Sequence, residues 1–282
     1  MSMTDRSARI SSVSGRLTDP REAFSINKWP TTAHAASARL PPVLDEAREQ
    51  IAAFQSSVRS FASRLLELVA LALGLPSDQF RSQHDPTREN FDNFELMHYP
   101  PVEGRASASG SPSEQSNTNP FRISPHTDWG SITLLFQHDI GGLQVRPPSY
   151  TSATPDLESE TWISAPVHND MVLINIGDML EFWTAGRLKS TWHRVVPTAR
   201  HGAVDRYTFA YFLHPNKDAV LVPTEALRRE GWVPRYEGIG RTAEEHIHAR
   251  IRAVHGPGSG KETRDQVVVP TPVQEKMVGQ AV

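Results

Sequence analysis

The 282-residue chain contains no cysteine. Disulfides, thiolate metal sites and cysteine nucleophiles are excluded together, which leaves histidine and carboxylate as the strong metal ligands. Long hydrophobic runs are also missing. No stretch approaches the roughly 18 apolar residues of a membrane span, and Met1 to Arg16, rich in Ser and Arg, lacks the apolar segment of a secretory leader. Positive charge is not concentrated either: Lys and Arg total 29 against 32 acidic residues, a net charge of −3. Arg228-Arg229 and Arg250-Ile251-Arg252 are too short, and too interleaved with acids, to form a nucleic-acid-binding face. The expectation is a cytoplasmic protein that engages neither membrane nor nucleic acid. A hydrophobic fraction of 38% over this length is enough for one substantial core.

Residues 1–41 are Ser-, Pro- and Ala-rich without a sustained period, and read as a partly irregular arm with a few anchored positions. From Pro42 the pattern changes. Val43, Ala47, Ile51, Phe54, Val58, Phe61, Leu65, Leu68, Val69, Ala72 and Leu73 recur mainly at three- and four-residue steps, which predicts a long amphipathic helix lying against a sheet. Gly74-Leu75-Pro76 stops it. Phe94 to Tyr99 reads as a strand, and Gly104 to Asn119 as a Ser/Gly/Asn-rich surface loop. Short apolar runs then alternate with turn signals at Ile132–Phe136, Gly142–Val145, Trp162–Ile163, Met171–Ile176, Thr191–Val196 and Arg206–Leu213, as in a β-sandwich or barrel. Asp178 to Trp183 reads as one helical turn. Thr242 opens a second helix, with Glu245 completing a capping box. The expected organisation is a domain over 42–255 and a poorly ordered tail over 256–282.

Chemistry first enters at His126-Thr127-Asp128. On an extended segment, residues two apart face the same way, so an imidazole and a carboxylate can reach one ion. His193, 65 positions after Asp128 in Ser190-Thr191-Trp192-His193-Arg194-Val195-Val196, is the candidate third ligand. Two histidines and one carboxylate on one face of an octahedral ion leave positions open, as in non-haem Fe(II) oxygenases. Arg206 and Thr208, two apart at the start of an apolar strand, form a second candidate set: a guanidinium fork and a hydroxyl suited to a carboxylate. Tyr99 is a further candidate contact to the same acid. His138, His168, His201, His214, His246 and His248 have no partner at useful spacing and read as surface or structural.

Read together, these blocks resemble the isopenicillin N synthase-like branch of the 2-oxoglutarate/Fe(II) dioxygenases. His126 to Val145 resembles the family's first ligand block. Asn175 to Leu180, Trp183 to Gly186 and Ser190 to Val195 resemble the second, and Arg206-Tyr207-Thr208 with Phe209 to Pro215 resembles the Arg-x-Ser block, with Thr for Ser. The resemblance runs from about Asp19 to Val222. It implies a mainly β fold with flanking helices around a double-stranded β-helix (jelly-roll) core. It implies iron on His126, Asp128 and His193, and 2-oxoglutarate on Arg206 and Thr208 with Tyr99 added. O2 is then the second cosubstrate, with ascorbate as a stimulant. The implied reaction couples decarboxylation of 2-oxoglutarate to succinate with hydroxylation, desaturation or cyclisation of a small organic metabolite, of the secondary-metabolic kind.

Two departures stand out. Met97 occupies the place where many members carry Asn, two residues before the Tyr99 equivalent. The chain also starts where the family's Asp-x-x-Glu-x-Phe block lies, here Asp19 to Phe24, so most of the usual N-terminal region is expected to be missing and a sheet edge to be left for a second copy of the chain to cover. Three alternatives stay open: a same-fold Fe(II) oxidase that does not use 2-oxoglutarate, a zinc or cupin-like module, and an inactive shortened relative that keeps the ligands. The loop 104–119, Leu143, Gln144 and the helix near Thr242 are the expected substrate-pocket walls, and none shows a self-evident preference.

Overall fold

A computed structural model describes residues 21–27, 40–101, 121–147, 161–168, 170–198, 204–229 and 240–255. Nine short strands are found in them: β1 (Glu22–Asn27), β2 (Asn93–Tyr99), β3 (Ile123–His126), β4 (Ile132–Gln137), β5 (Leu143–Val145), β6 (Ile163–Ser164), β7 (Leu173–Ile176), β8 (His193–Val195) and β9 (Arg206–Leu213). They pair as two antiparallel sheets, ordered β1-β2-β9-β4-β7 and β3-β8-β5-β6. Helices α1 (Pro42–Asp45), α2 (Arg48–Ala72), α3 (Asp178–Trp183) and α4 (Ala243–His255) flank them. The mainly β architecture agrees with the fold class read from the sequence. Loop 104–119, His201 and the segment after 255 lie outside the described residues. Among the described residues, no helix is long and apolar enough to cross a membrane.

Two apolar clusters divide the core. The larger joins α2 to the outer face of the five-stranded sheet, where Val58, Ala62, Leu66 and Ala70 meet Phe94, Leu134, Tyr211 and Leu213. The sequence pattern found this helix and much of its inner face, since Val58 is buried and Ile51, Phe54, Leu65, Val69 and Leu73 pack against the core. The side chains that face the sheet include the small Ala62 and Ala70, while Phe61 and Leu68 are exposed. A helix rich in apolar residues on several faces does not reveal which one is buried. Alanines win here because they let the helix axis approach the sheet closely. Arg59 on α2 adds an ion pair to the buried Asp92, whose other contacts are the Tyr211 hydroxyl and the His214 backbone N–H.

The smaller cluster lies between the sheets: Met97, Tyr99, Leu143, Val195 and Ala210 are buried there, with Ala23, Leu135, Leu173 and Phe212 packed against them. Ala23 belongs to β1, so the N-terminal arm supplies an edge strand that its aperiodic sequence did not announce. The capping box on α4 forms as read: the Thr242 N–H donates to Glu245 Oε2 at 2.9 Å, and the Glu245 N–H donates to Thr242 Oγ1 at 3.2 Å.

Three histidines outside the candidate metal set are buried and structural. His84 bridges the Phe80 carbonyl and Ser131 Oγ at 2.7 and 2.8 Å, and burial drives its pKa from the ordinary 6.5 down to about 3. Burial likewise lowers His214 and His246 to about 4. All three are neutral in the folded protein, so below pH 6.5 the unfolded chain binds more protons. Stability is therefore expected to fall as pH drops from 6.5 towards 4, and thermal midpoints of the metal-free protein across that window test it. A flat profile would contradict the burial of neutral imidazoles.

Candidate metal centre

β3 and β8 are antiparallel, with His126 directly opposite His193 in the ladder. Cross-strand neighbours on one face are held close by the sheet spacing, and the two imidazole centroids lie 4.2 Å apart. Asp128 follows just after β3. Its Oδ1 lies 3.9 Å from His126 Nε2 and 3.6 Å from His193 Nε2. One ligand atom from each of the three residues falls within 4.8 Å of the others. The sequence-predicted triad is thus brought together across 65 residues of intervening chain.

Each ligand atom is prepared by a neighbour. His126 Nδ1 faces the Ser124 carbonyl at 2.8 Å and His193 Nδ1 faces the Thr191 carbonyl at 2.9 Å. A carbonyl accepts only, so Nδ1 carries the proton and the Nε2 lone pair is turned towards its companions. Burial, and then the adjacent His193, hold His126 at about 4 despite the opposing pull of Asp128, so the ring is neutral. Burial works against charge on Asp128, but the nearby imidazoles and two donated hydrogen bonds outweigh it and hold the carboxyl below its ordinary value. Those bonds come from Thr133 Oγ1 at 2.6 Å and Asn175 Nδ2 at 2.8 Å, both on Oδ2. Oδ1 is left for an ion.

Thr133 and Asn175 are cross-strand partners on β4 and β7. The sequence places both residues within the ligand blocks but assigns neither a role. Their link to Asp128 depends on pairing that no local pattern encodes. Thr133→Val keeps the shape and removes one donor, and is expected to weaken Fe(II) affinity roughly 10- to 100-fold. Metal titration of the purified variant tests this; unchanged affinity would make the contact incidental.

The glycines of the two ligand blocks now have a physical reason. A Cβ on Gly177 would stand 2.2 Å from the Gly130 carbonyl oxygen, and one on Gly130 would stand 2.6 Å from the Leu213 carbonyl oxygen. That close approach lets the Asp178 N–H donate to the Asp128 carbonyl at 2.8 Å, locking the segment that carries the carboxylate.

The inner face of the five-stranded sheet is laid out in cross-strand rows. Asn93, Phe212, Thr133 and Asn175 form the row that supports Asp128. Glu95, Ala210, Leu135 and Leu173 form the next, then Met97, Thr208 and Gln137, then Tyr99 with Arg206. Arg206 is 1% exposed. Its Nε donates to the Ile140 and Gly141 carbonyls at 3.1 and 3.0 Å, and its Cζ lies 4.6 Å from the Tyr99 ring centroid. Arg206 Nη1 and Thr208 Oγ1 are buried with no hydrogen-bond partner among the described residues. Burial lowers the guanidinium pKa from its ordinary value, opposed by Tyr99. The Tyr99 hydroxyl lies 3.4 Å from the Met97 sulfur and also interacts with the Arg206 guanidinium.

Residues 90–215 match the model of the 2OG-Fe(II) oxygenase superfamily. This stretch is a 2OG-Fe(II) oxygenase domain. The chain is 35% identical to the UPF0676 protein C1494.01 of Schizosaccharomyces pombe over 77% of this chain and 60% of that protein. It is 37% identical to a 2-oxoglutarate-dependent dioxygenase of a Dothideomycetidae species over 61% of this chain and 47% of that protein. The chain thus spans between about half and three-fifths of the length of these curated relatives. Among solved structures, a full-length Neurospora crassa protein in complex with alpha-KG and 5-formyluracil superposes with a TM-score of 0.66 at 26% identity, covering 83% of this chain and 70% of that one. For a 2OG-Fe(II) oxygenase, two neutral imidazoles and an ionised carboxylate are a fitting donor set for iron. The orphaned Arg206 and Thr208 atoms are a fitting receptor for an acid.

Proposed function

We propose that this chain couples the decarboxylation of 2-oxoglutarate, with O2, to the oxidation of a small organic metabolite. His126, Asp128 and His193 would hold Fe(II), and Arg206 and Thr208 the distal carboxylate of 2-oxoglutarate, with Tyr99 packed beside the guanidinium. The observation that carries this reading is the pair of buried donors on β9, Thr208 Oγ1 and Arg206 Nη1, which have no hydrogen-bond partner among the described residues and lie two and three rows beyond the donors that support Asp128. Burying a guanidinium N–H and a hydroxyl without partners is unfavourable, and a carboxylate relieves both at once. The iron, when bound, supplies O2 activation through its open positions.

The protein's own part is orientation and exclusion of water. Backbone carbonyls fix the tautomers of both histidines, and Thr133 and Asn175 fix the carboxylate. Leu135 and Ala210 form an apolar floor between the metal and the clamp, which favours a dry site for the cosubstrate. A zinc module gives no account of the β9 donors, whereas a sibling oxidase that does not use 2-oxoglutarate would keep a similar motif, so turnover must separate it. The test is anaerobic loading with Fe(II), then O2 and 2-oxoglutarate, measuring succinate release against O2 uptake. O2 uptake without succinate would favour the sibling oxidase. Stable zinc at full occupancy with no iron-dependent turnover would sink the oxygenase reading altogether.

A further inference from the structure

One ionisable side chain on the inner sheet face has no part in the metal centre or the clamp. Glu95 lies on β2 in the row between them, with Ser25 beside it on β1 and Ala210 on β9. Its carboxylate is 17% exposed and makes no hydrogen bond with any described residue. Its one ion pair among the described residues is loose: Arg21 Nη1 stands 3.7 Å from Glu95 Oε1. Both charges are felt at the metal centre, since Asp128 acts on the Glu95 carboxyl and Arg21 acts on His126. The edge strand that carries Arg21 is fastened from its other face, where His98 bridges Glu22 and Asp205 at 2.8 and 2.6 Å.

We propose that Glu95 determines specificity, receiving the cationic nitrogen of an amine-bearing substrate beside the metal. An ionised carboxylate only accepts hydrogen bonds, so its ligand must donate them. A largely buried one without donors is expensive, and a substrate ammonium ends that cost with a charge-assisted bond. The surrounding groups sort the two organic molecules. The dianion 2-oxoglutarate is repelled by Glu95 and drawn to Arg206 and Thr208, while a cation is drawn to Glu95 and repelled by the buried guanidinium of Arg206.

The inference rests on the oxygenase reading, so the test separates the two. Calorimetry on the full chain with Mn(II) and 2-oxoglutarate would measure binding of two matched series: 2-phenylethylamine, 2-phenylethanol and phenylacetate, and hexylamine, hexanol and hexanoate. Expected is about tenfold tighter binding of each amine than of its alcohol or acid, with that preference lost in Glu95→Gln. The isosteric Glu95→Gln leaves packing unchanged, and 2-oxoglutarate binding by the same preparation reports an intact fold. Amines that bind no better than their alcohols or acids, or a preference that survives Glu95→Gln, would overturn the proposal while leaving the oxygenase reading intact. Failure of 2-oxoglutarate and Mn(II) to bind the wild-type protein would overturn both.

Discussion

Asp128→Ala is expected to abolish iron-dependent succinate formation, a loss of more than about a hundredfold, while the domain stays folded. The carboxylate would supply the anionic ligand of the proposed centre and is the acceptor for Thr133 and Asn175. Losing it leaves two buried donors without a partner, which costs roughly 1–3 kcal/mol each at most. No buried charge is stranded by the change, because His126 is held neutral by burial with or without the carboxylate's full effect. Stability should therefore fall modestly while metal affinity collapses. His193→Ala should behave alike, since the β3–β8 ladder is made by backbone. Near-wild-type turnover in either variant would refute the site, and circular dichroism with thermal melting separates a lost ligand from a lost fold.

Arg206→Ala is expected to raise the half-saturation for 2-oxoglutarate by roughly ten- to a hundredfold, with Fe(II) affinity little changed. The guanidinium is already anchored through Nε to the Ile140 and Gly141 carbonyls, which leaves Nη1 free to receive an acid. Truncation also removes packing against Tyr99, so some loss of stability will accompany the kinetic effect. Arg206→Lys keeps a charge without the fork and should fall in between, and Thr208→Val should show a smaller rise. Titration of 2-oxoglutarate in the succinate assay reads all three. An unchanged half-saturation in Arg206→Ala would place the clamp elsewhere.

Much of this site is legible in the amino-acid sequence. His126-x-Asp128 on an extended segment, His193 downstream and Arg206-x-Thr208 opening an apolar strand depend only on period-two geometry and ligand chemistry. These residues converge as that geometry requires. What stayed hidden shares one cause, namely pairing between distant segments. Thr133 looks like any strand threonine until β4 is set beside β7 and the loop bearing Asp128. His84 looks unexceptional until it reaches Ser131. Ala62 and Ala70 become the inner stripe of α2 because the sheet is close, not because they are the most apolar residues there.

Glu95 makes the division plain. Its sequence neighbourhood, Phe94-Glu95-Leu96, says only that a charge interrupts a strand, and the ordinary reading is a solvated face. The register of β2 against β9 turns that charge inward, into the row between Asp128's supports and Arg206. The sequence by itself determined the ligand chemistry and the β-rich class, because both follow from residue type and local period. The tertiary structure alone decided which polar side chains support those candidate ligands and which acid lies on the inner sheet face, because a one-residue change of register would have sent every one of them to the opposite face.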